Sequence, residues 1–133
     1  MISASAFRYC SKVSSIYAPL ATSIYSYAFA NVRDVEFAVF TSLTMISSYA
    51  FASCFNLGSF YVLTSTVPTL ANINAFLSTP ISTYTTSYGA NGNIYVKSSM
   101  LASFKAATNW LTYSGRMVGL TDAQVSEVLG WFT

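Results

Sequence analysis

The sequence predicts a mainly α-helical fold: a small, very hydrophobic bundle of helical hairpins that forms a single helical domain over residues 1–133. Apolar residues recur at three- and four-residue steps near both ends of the chain, as they do on one face of a helix. Between these ends, residues 37–96 contain no Asp, Glu, Lys or Arg. A helix that is apolar on all sides is typically covered by protein or lipid. No internal repeat of fixed period is evident, although a helix-loop-helix pattern occurs twice.

The first predicted helix covers about residues 3–32, and Pro19 is expected to kink it near its middle. A short connection follows, in which Asp34 is a suitable N-cap for the next helix. The apolar face of the first helix contains seven residues at helical spacing: Phe7, Cys10, Val13, Tyr17, Leu20, Ile24 and Tyr27.

The second predicted helix runs from Phe37 to about Leu57, and Gly58 ends it. Its apolar side chains are spread around the whole circumference, so no side is suited to water. The alternative is a membrane span over residues 37–63, but the segment lacks the flanking cluster of Lys and Arg that orients a span. We therefore interpret seven apolar residues as candidates for contacts between subunits: Phe37, Phe40, Leu43, Ile46, Tyr49, Phe51 and Phe55.

Two short elements are predicted in the middle of the chain. Pro68 lies near the first turn of a short helix, and Pro80 follows its end. Residues 81–97 then alternate hydroxyl and aromatic side chains around a segment rich in glycine and asparagine. This pattern predicts a short β-hairpin with its turn at Asn91 and Gly92.

Helical periodicity resumes after Lys97 and ends near Gly115. The last predicted helix has the clearest local signal in the chain, because Thr121 and Gln124 have the spacing of a capping box. Its apolar residues form a seam on one side: Val125, Val128, Leu129 and Phe132.

The composition argues against an enzyme. The chain contains no His, which is the commonest general base and the commonest metal ligand. Cys10 and Cys54 are far apart in the sequence, and we interpret them as small buried hydrophobic residues, with their redox state left open. The four carboxylates lie near predicted helix starts, where they stabilise the helix dipole. No nucleotide-binding or hydrolase motif is present, so we expect no enzyme, no cofactor and no metal.

The low charge indicates a structural function. Hydrophobic residues make up 53% of the chain and charged residues only 8%, against about 25% charged in ordinary soluble domains. The excess apolar surface is therefore expected to contact further protein or lipid. We favour a structural, self-assembling subunit. The alternative is a small integral membrane subunit of a larger complex, with residues 37–63 as its span.

About a quarter of the chain is Ser or Thr, and it contains ten Tyr and no His. With its two predicted helical portions, residues 3–57 and 98–132, the chain resembles the major coat protein of the large tailed spindle-shaped viruses of archaea. The resemblance is one of composition and architecture. It implies a viral coat subunit, located in the virion, whose hydrophobic lateral contacts build a helical or shell-like lattice around DNA.

A coat around DNA would place cations against phosphates, where they act by releasing counterions and do not read sequence. The expected partners are thus many copies of the chain and double-stranded DNA, with lipid as a further candidate. The other interpretation of the cations is ordinary solvated charge. Five are candidates for facing nucleic acid: Arg8, Lys12, Lys97, Lys105 and Arg116.

Overall fold

The computed structural model describes residues 1–10, 12–82 and 92–132, which coil through two parallel β-sheets. The strands are Ser15–Tyr17 (β1), Ser23–Ile24 (β2), Phe37–Phe40 (β3), Met45–Ile46 (β4), Ser59–Val62 (β5), Thr69–Leu70 (β6), Asn93–Lys97 (β7) and Met117–Leu120 (β8). One sheet has five strands in the order β1-β3-β5-β7-β8, and the other has three in the order β2-β4-β6. The architecture is a β-solenoid.

The helical segments of the described residues are short, and all but one of them follow β7 in the chain. They are the α-helices Leu101–Ala106 (α1) and Asp122–Gly130 (α2) and the 3₁₀ segments Ile73–Phe76, Ser98–Met100 and Trp110–Arg116.

The register of the sheets reveals a repeat with a constant interval. Ser15 pairs with Phe37, and Phe37 pairs with Ser59, both in parallel. The Thr44 hydroxyl donates to the Thr22 carbonyl across the same sequence separation, which is 22. We call this separation the repeat interval. Parallel strands need a crossover connection between them, and here each crossover is one turn of the solenoid.

The turn between β5 and β7 is longer than the turns before it. Ser59 pairs with Asn93 in the larger sheet. A further step of the repeat interval would have brought Ile81 beside Ser59, but Ile81 is instead buried in the main core. The regular repeat therefore ends at β5.

A ladder of phenylalanines runs through the interior and joins successive turns. The rings of Phe7 and Phe29 stack at a centroid distance of 5.1 Å, those of Phe29 and Phe51 at 5.3 Å, and those of Phe51 and Phe76 at 5.8 Å. These distances are close to the spacing of about 4.8 Å between neighbouring strands, so one ring per turn fills the column. Stacked aromatic pairs contribute about 0.5–1.5 kcal/mol beyond their buried area.

The turns bend at left-handed residues that recur from one turn to the next. A left-handed non-glycine residue costs about 1–2 kcal/mol. Each turn offsets this cost with hydrogen bonds to the next, such as those from the Ser5 and Phe7 amides to the Ser26 and Ala28 carbonyls. The left-handed residues form two series with φ between 57° and 65°: Ser5, Tyr27 and Tyr49, and Tyr9, Asn31, Ser53 and Ser78.

The segment after α1 closes one end of the solenoid. β6 is the edge strand of the smaller sheet, and the carbonyls of an edge need partners. Side chains supply them: Asn109 Nδ2 donates to the Leu70 carbonyl and Trp110 Nε1 to the Pro68 carbonyl, each at 2.7 Å. The Tyr113 hydroxyl donates to the Ile73 carbonyl. These three donors replace the strand that a further turn would provide.

The prediction of a mainly α-helical bundle is wrong, because the region assigned to the first two helices consists of short parallel strands and tight turns. Strands of two to four residues are too short to show the alternation by which strands are recognised. The seven apolar residues of the first predicted helix do not share one side of the structure: Ile24 is buried, whereas Leu20 and Tyr17 are exposed. The last predicted helix is confirmed, since α2 begins at the capping box of Thr121 and Gln124.

The statement that no internal repeat is present is also wrong. Residues 1–10 (MISASAFRYC), 23–32 (SIYSYAFANV) and 45–54 (MISSYAFASC) align at the repeat interval. Each contains the dipeptide Ala-Phe, whose phenylalanine belongs to the interior ladder. The positions that all three segments share are an isoleucine, an alanine and a phenylalanine. Helical periodicity compares residues three or four positions apart, so it does not reveal identities that recur one repeat interval apart.

The alternative membrane span and the described part of the predicted hairpin also consist of parallel strands. Residues 37–63, the alternative membrane span, contain β3, β4 and β5, and no helix within the described residues is long and apolar enough to cross a membrane. Residues 83–91 of the predicted hairpin, including Asn91, lie outside the described residues. Its second half is β7, which pairs in parallel with β5 on one side and β8 on the other.

Candidate interaction surface

The five-stranded sheet has one face on the core and one face turned outward. Inward residues such as Ile16, Ala38 and Phe60 belong to the main core. The outward residues form rows across the strands, because parallel pairing places equivalent positions side by side. Beyond the two longer rows, Lys97 and Leu120 lie on the same side of β7 and β8. The first row is Ser15, Phe37, Ser59 and Asn93, and the second is Tyr17, Val39, Tyr61, Tyr95 and Val118. We call these nine residues the outer face.

The nine residues of the outer face include four aromatic side chains and no charged one, and the adjoining Lys97 contacts Ser65. Tyr61 and Tyr95 stack on adjacent strands with a ring centroid distance of 4.6 Å. Burial of Tyr61, with a smaller contribution from the neighbouring Tyr95, raises the pKa of the Tyr61 hydroxyl above its usual value. All strand pairs of this sheet are parallel, and parallel sheets are usually covered on both faces, so the apolar outward face indicates that another element packs over it.

Helix α2 packs over the outer face. Val128 is buried there against Val39 and Tyr61, in a second hydrophobic cluster that the sheet separates from the main core. Val125 and Leu129 lie at the margin of the same cluster. Burying a side chain such as Val128 contributes about 1.5–3 kcal/mol, so a few contacts of this kind hold the helix in place.

Two aromatic residues extend α2 to the far side of the sheet. Phe132 stacks on Tyr17 of β1 at a centroid distance of 4.0 Å and an interplanar angle of 6°. Trp131 lies edge-on to Phe37 at 6.0 Å and to Tyr61 at 5.8 Å. Because α2 begins next to β8, the helix and its two terminal residues cross all five strands.

A shallow cavity lies where the helix ends. It has a volume of about 590 Å³ and is lined by four aromatic side chains and two serines: Phe37, Tyr61, Trp131, Phe132, Ser15 and Ser59. Binding sites commonly combine mostly apolar walls with a few polar groups that fix orientation. The cavity has this composition, with hydroxyls as its polar groups, and it suits an uncharged ligand group.

The cysteines differ in environment. Cys54 is buried and its thiol contacts the Phe29 carbonyl at 3.0 Å. Burial raises the pKa of Cys54 to about 12, so this thiol stays protonated and unreactive at neutral pH. Cys10 is exposed, contrary to the expectation that both cysteines are buried. Within the described residues, no group of three His, Cys, Asp or Glu could hold a metal ion.

The cations predicted to face nucleic acid are divided between the first turn and the part of the chain from β7 onwards. Arg8 belongs to the first turn, where its guanidinium lies over the rings of Tyr27 at 4.4 Å and Tyr9 at 5.1 Å. Lys12 is exposed nearby. The other three follow the start of β7 in the chain: Lys97 contacts Ser65, Lys105 is in the last turn of α1, and Arg116 donates to the Ser82 carbonyl.

The predicted subunit contacts have three different environments. Phe40, Leu43, Ile46 and Phe51 are fully buried in the core of this chain. Tyr49 stacks on Tyr27, and Phe55 is partly buried beneath Arg33.

Phe37 alone among these candidates belongs to the outer face. The other eight residues of that face were not identified from the sequence, although the repeat interval that separates Ser15, Phe37 and Ser59 would have aligned the first three strands.

Comparison with known proteins agrees with the repeat architecture. A family model described as the BspA type leucine rich repeat region matches residues 1–106 in six copies. No curated protein and no solved structure matches the chain. The viral coat function rested on a helical bundle and is contradicted by this match and by the parallel sheets. Since the model covers most of the sequence, the chain belongs to the BspA-type leucine-rich repeat family.

Proposed function

We propose that this protein is a non-catalytic repeat scaffold that recognises another protein, in interaction or adhesion, through its outer face. The observation that carries the proposal is the uncharged aromatic row of that face, in which Tyr17, Tyr61 and Tyr95 lie on three strands. Aromatic side chains are enriched at protein interfaces, and charged ones are depleted from interface cores.

The family supports a repeat protein for interaction or adhesion. Repeats that stack in one dimension present extended surfaces, which such proteins use for binding. The outer face fits this use because neighbouring turns place side chains at regular intervals across the sheet. The partners predicted from the sequence, further copies of the chain and DNA phosphates, stay predictions.

The non-catalytic part of the proposal rests on the chemistry of the surface. The polar groups of the outer face are neutral hydroxyls and one amide, from Ser15, Ser59, Asn93 and the tyrosines. Acid-base catalysis needs a group whose pKa lies near the operating pH. Burial raises the pKa of Tyr61 and moves its hydroxyl away from that range.

The experiment compares two tyrosines of the same turn. Tyr17 is on the outer face and 40% exposed, whereas Tyr25 is 37% exposed and follows a strand of the smaller sheet. Peptides are selected from a random library against the immobilised full chain, and their affinities are measured for Tyr17→Ala and Tyr25→Ala. We expect Tyr17→Ala to weaken binding at least tenfold, an effect typical of an interface hot spot.

The control variant Tyr25→Ala should bind with unchanged affinity. Selected peptides that depend on Tyr25 and ignore Tyr17 would place the binding surface elsewhere on the solenoid and refute the proposal.

A further inference from the structure

We infer that the outer face binds an amphipathic helix of a partner protein, and that α2 is a tethered occupant which this partner helix displaces. The inference rests on the proposed function of the outer face. It adds the kind of partner and the reason that the site is covered in the isolated chain.

Helix α2 demonstrates which chemistry the outer face accepts. Its seam of Val125, Val128, Leu129 and Phe132 has the i, i+3, i+4, i+7 spacing with which amphipathic helices enter hydrophobic grooves. The seam carries no charge, and neither does the surface beneath it. The charged residues of α2, Asp122 and Glu127, are exposed.

Helix α2 is also separable from the solenoid. It packs in its own hydrophobic cluster, and Val128 is its one buried residue among those the structure describes. The family match ends at residue 106, so α2 is not part of the matched repeats.

The length of α2 makes its helical state depend on docking. Isolated helices shorter than about 12–15 residues are marginal in water, and α2 has nine residues. Undocking therefore melts the helix and exposes Val39 and Tyr61 of the outer face, which belong to the same cluster as Val128. A partner helix that covers the same side chains replaces these contacts, and the tail of the chain regains its freedom.

The partner helix is defined by the surface it must cover. Five strands spaced by about 4.8 Å span about 19 Å, which corresponds to about 13 helical residues at 1.5 Å each. Its contact side carries aliphatic residues and no charge, and one aromatic residue enters the cavity beside Ser15 and Ser59. Because a tethered helix competes at a high effective concentration, α2 weakens the apparent affinity for any such partner.

The test uses the full chain and a synthetic peptide of residues 121–132 (TDAQVSEVLGWF) with a fluorescent label. Val128→Asp places a charge in the buried seam and undocks α2, whereas Ser126→Asp places the same charge on an exposed position of the same helix. Fluorescence anisotropy should show that Val128→Asp binds the peptide at least tenfold more tightly than the unaltered chain and Ser126→Asp. The same peptide carrying Val128→Asp should bind none of them.

Equal peptide binding to all three chains, or none to a folded Val128→Asp chain, would overturn the inference. If Val128→Asp does not fold, native-state hydrogen exchange of the unaltered chain decides. We expect the amides of α2 to exchange by local opening, well before those of β3 and β5, whereas exchange of α2 only with global unfolding refutes the inference. These results can refute the inference about α2 alone. If library-selected peptides still lose affinity for Tyr17→Ala, the proposed function is retained.

Discussion

The ring of Phe132 lies parallel to the ring of Tyr17 at a centroid distance of 4.0 Å, so the last described residue of the chain contacts the first strand of the larger sheet. This contact fixes the direction of α2 across the outer face. Tyr17 is the most exposed aromatic residue of the outer face. Phe132, which stacks on it, lies outside the residues that the family model matches. The contact is therefore the natural place to measure how firmly α2 is held.

The first prediction concerns this contact. Phe132→Ala removes the stacking on Tyr17 and should reduce the stability of α2 docking by about 1–2 kcal/mol, since a stacked pair contributes about 0.5–1.5 kcal/mol beyond the area it buries. Trp131 should become more exposed, and tryptophan fluorescence should shift to longer wavelength. Leu111→Ala, at a 54% exposed position, is the control. An unshifted spectrum for Phe132→Ala would mean that the stacking does not hold the helix.

The second prediction compares two positions of the phenylalanine ladder. Phe51 is fully buried and packs against four other phenylalanines, whereas Phe7 is 42% exposed at the end of the ladder. Phe51→Ala should lower the free energy of unfolding by about 3–5 kcal/mol, as expected for a buried aromatic residue. Phe7→Ala should lower it by roughly 1 kcal/mol. Urea denaturation measures both, and equal losses would contradict a ladder with an open end.

The third prediction concerns Asn109, which has a φ of 66° and donates to the Leu70 carbonyl. Asn109→Ala loses the hydrogen bond and strains the backbone, so it should lower the free energy of unfolding by about 2 kcal/mol. Asn109→Gly loses the hydrogen bond alone and should lower it by about 1 kcal/mol. A glycine variant that is less stable than the alanine variant would argue against the left-handed conformation.

The fourth prediction concerns thiol reactivity. Cys10 is exposed and Cys54 is buried, so a coloured thiol reagent at pH 8 should label one cysteine in the folded chain and two in urea. Cys10→Ser should abolish the rapid labelling, and Cys54→Ser should leave it unchanged. Rapid labelling that survives Cys10→Ser would show that the turn containing Cys54 opens readily.

The fifth prediction concerns pH. Burial raises the pKa of Cys54 from 9.0 to about 12, so the folded chain keeps its thiol protonated where the unfolded chain ionises. This contribution to stability is fully present below pH 9 and is lost as the pH rises toward 12. Cys54→Ser should make the free energy of unfolding less dependent on pH in that interval. An identical slope for both chains would mean that the thiol is solvated.

Local signals in the sequence were sufficient to predict α2. Thr121 and Gln124 form the capping box that their spacing predicted, and the seam containing Val128 packs on one surface. Both features depend on residues within three or four positions of each other. The fold of residues 1–82 depends instead on contacts between residues one repeat interval apart, such as Phe7 and Phe29, and a search by helical period cannot detect them.

The outer face could be predicted only with knowledge of the register between the strands. The repeat interval aligns Tyr17, Val39 and Tyr61, but the next step along the row is longer, since Tyr61 pairs with Tyr95. Which residue of the longer turn joins the sheet is decided by packing and not by any local motif. The apolar seam of α2 indicates that one side of the helix is buried. It does not identify the surface on which the helix packs, so the packing of α2 on this row could not be predicted.

The decisive experiment compares the affinity of library-selected peptides for Tyr17→Ala, on the outer face, and for Tyr25→Ala, at a position of similar exposure that follows β2. Binding through the outer face predicts at least a tenfold loss for Tyr17→Ala and no change for Tyr25→Ala. Loss of binding in Tyr25→Ala with full binding in Tyr17→Ala would contradict the account.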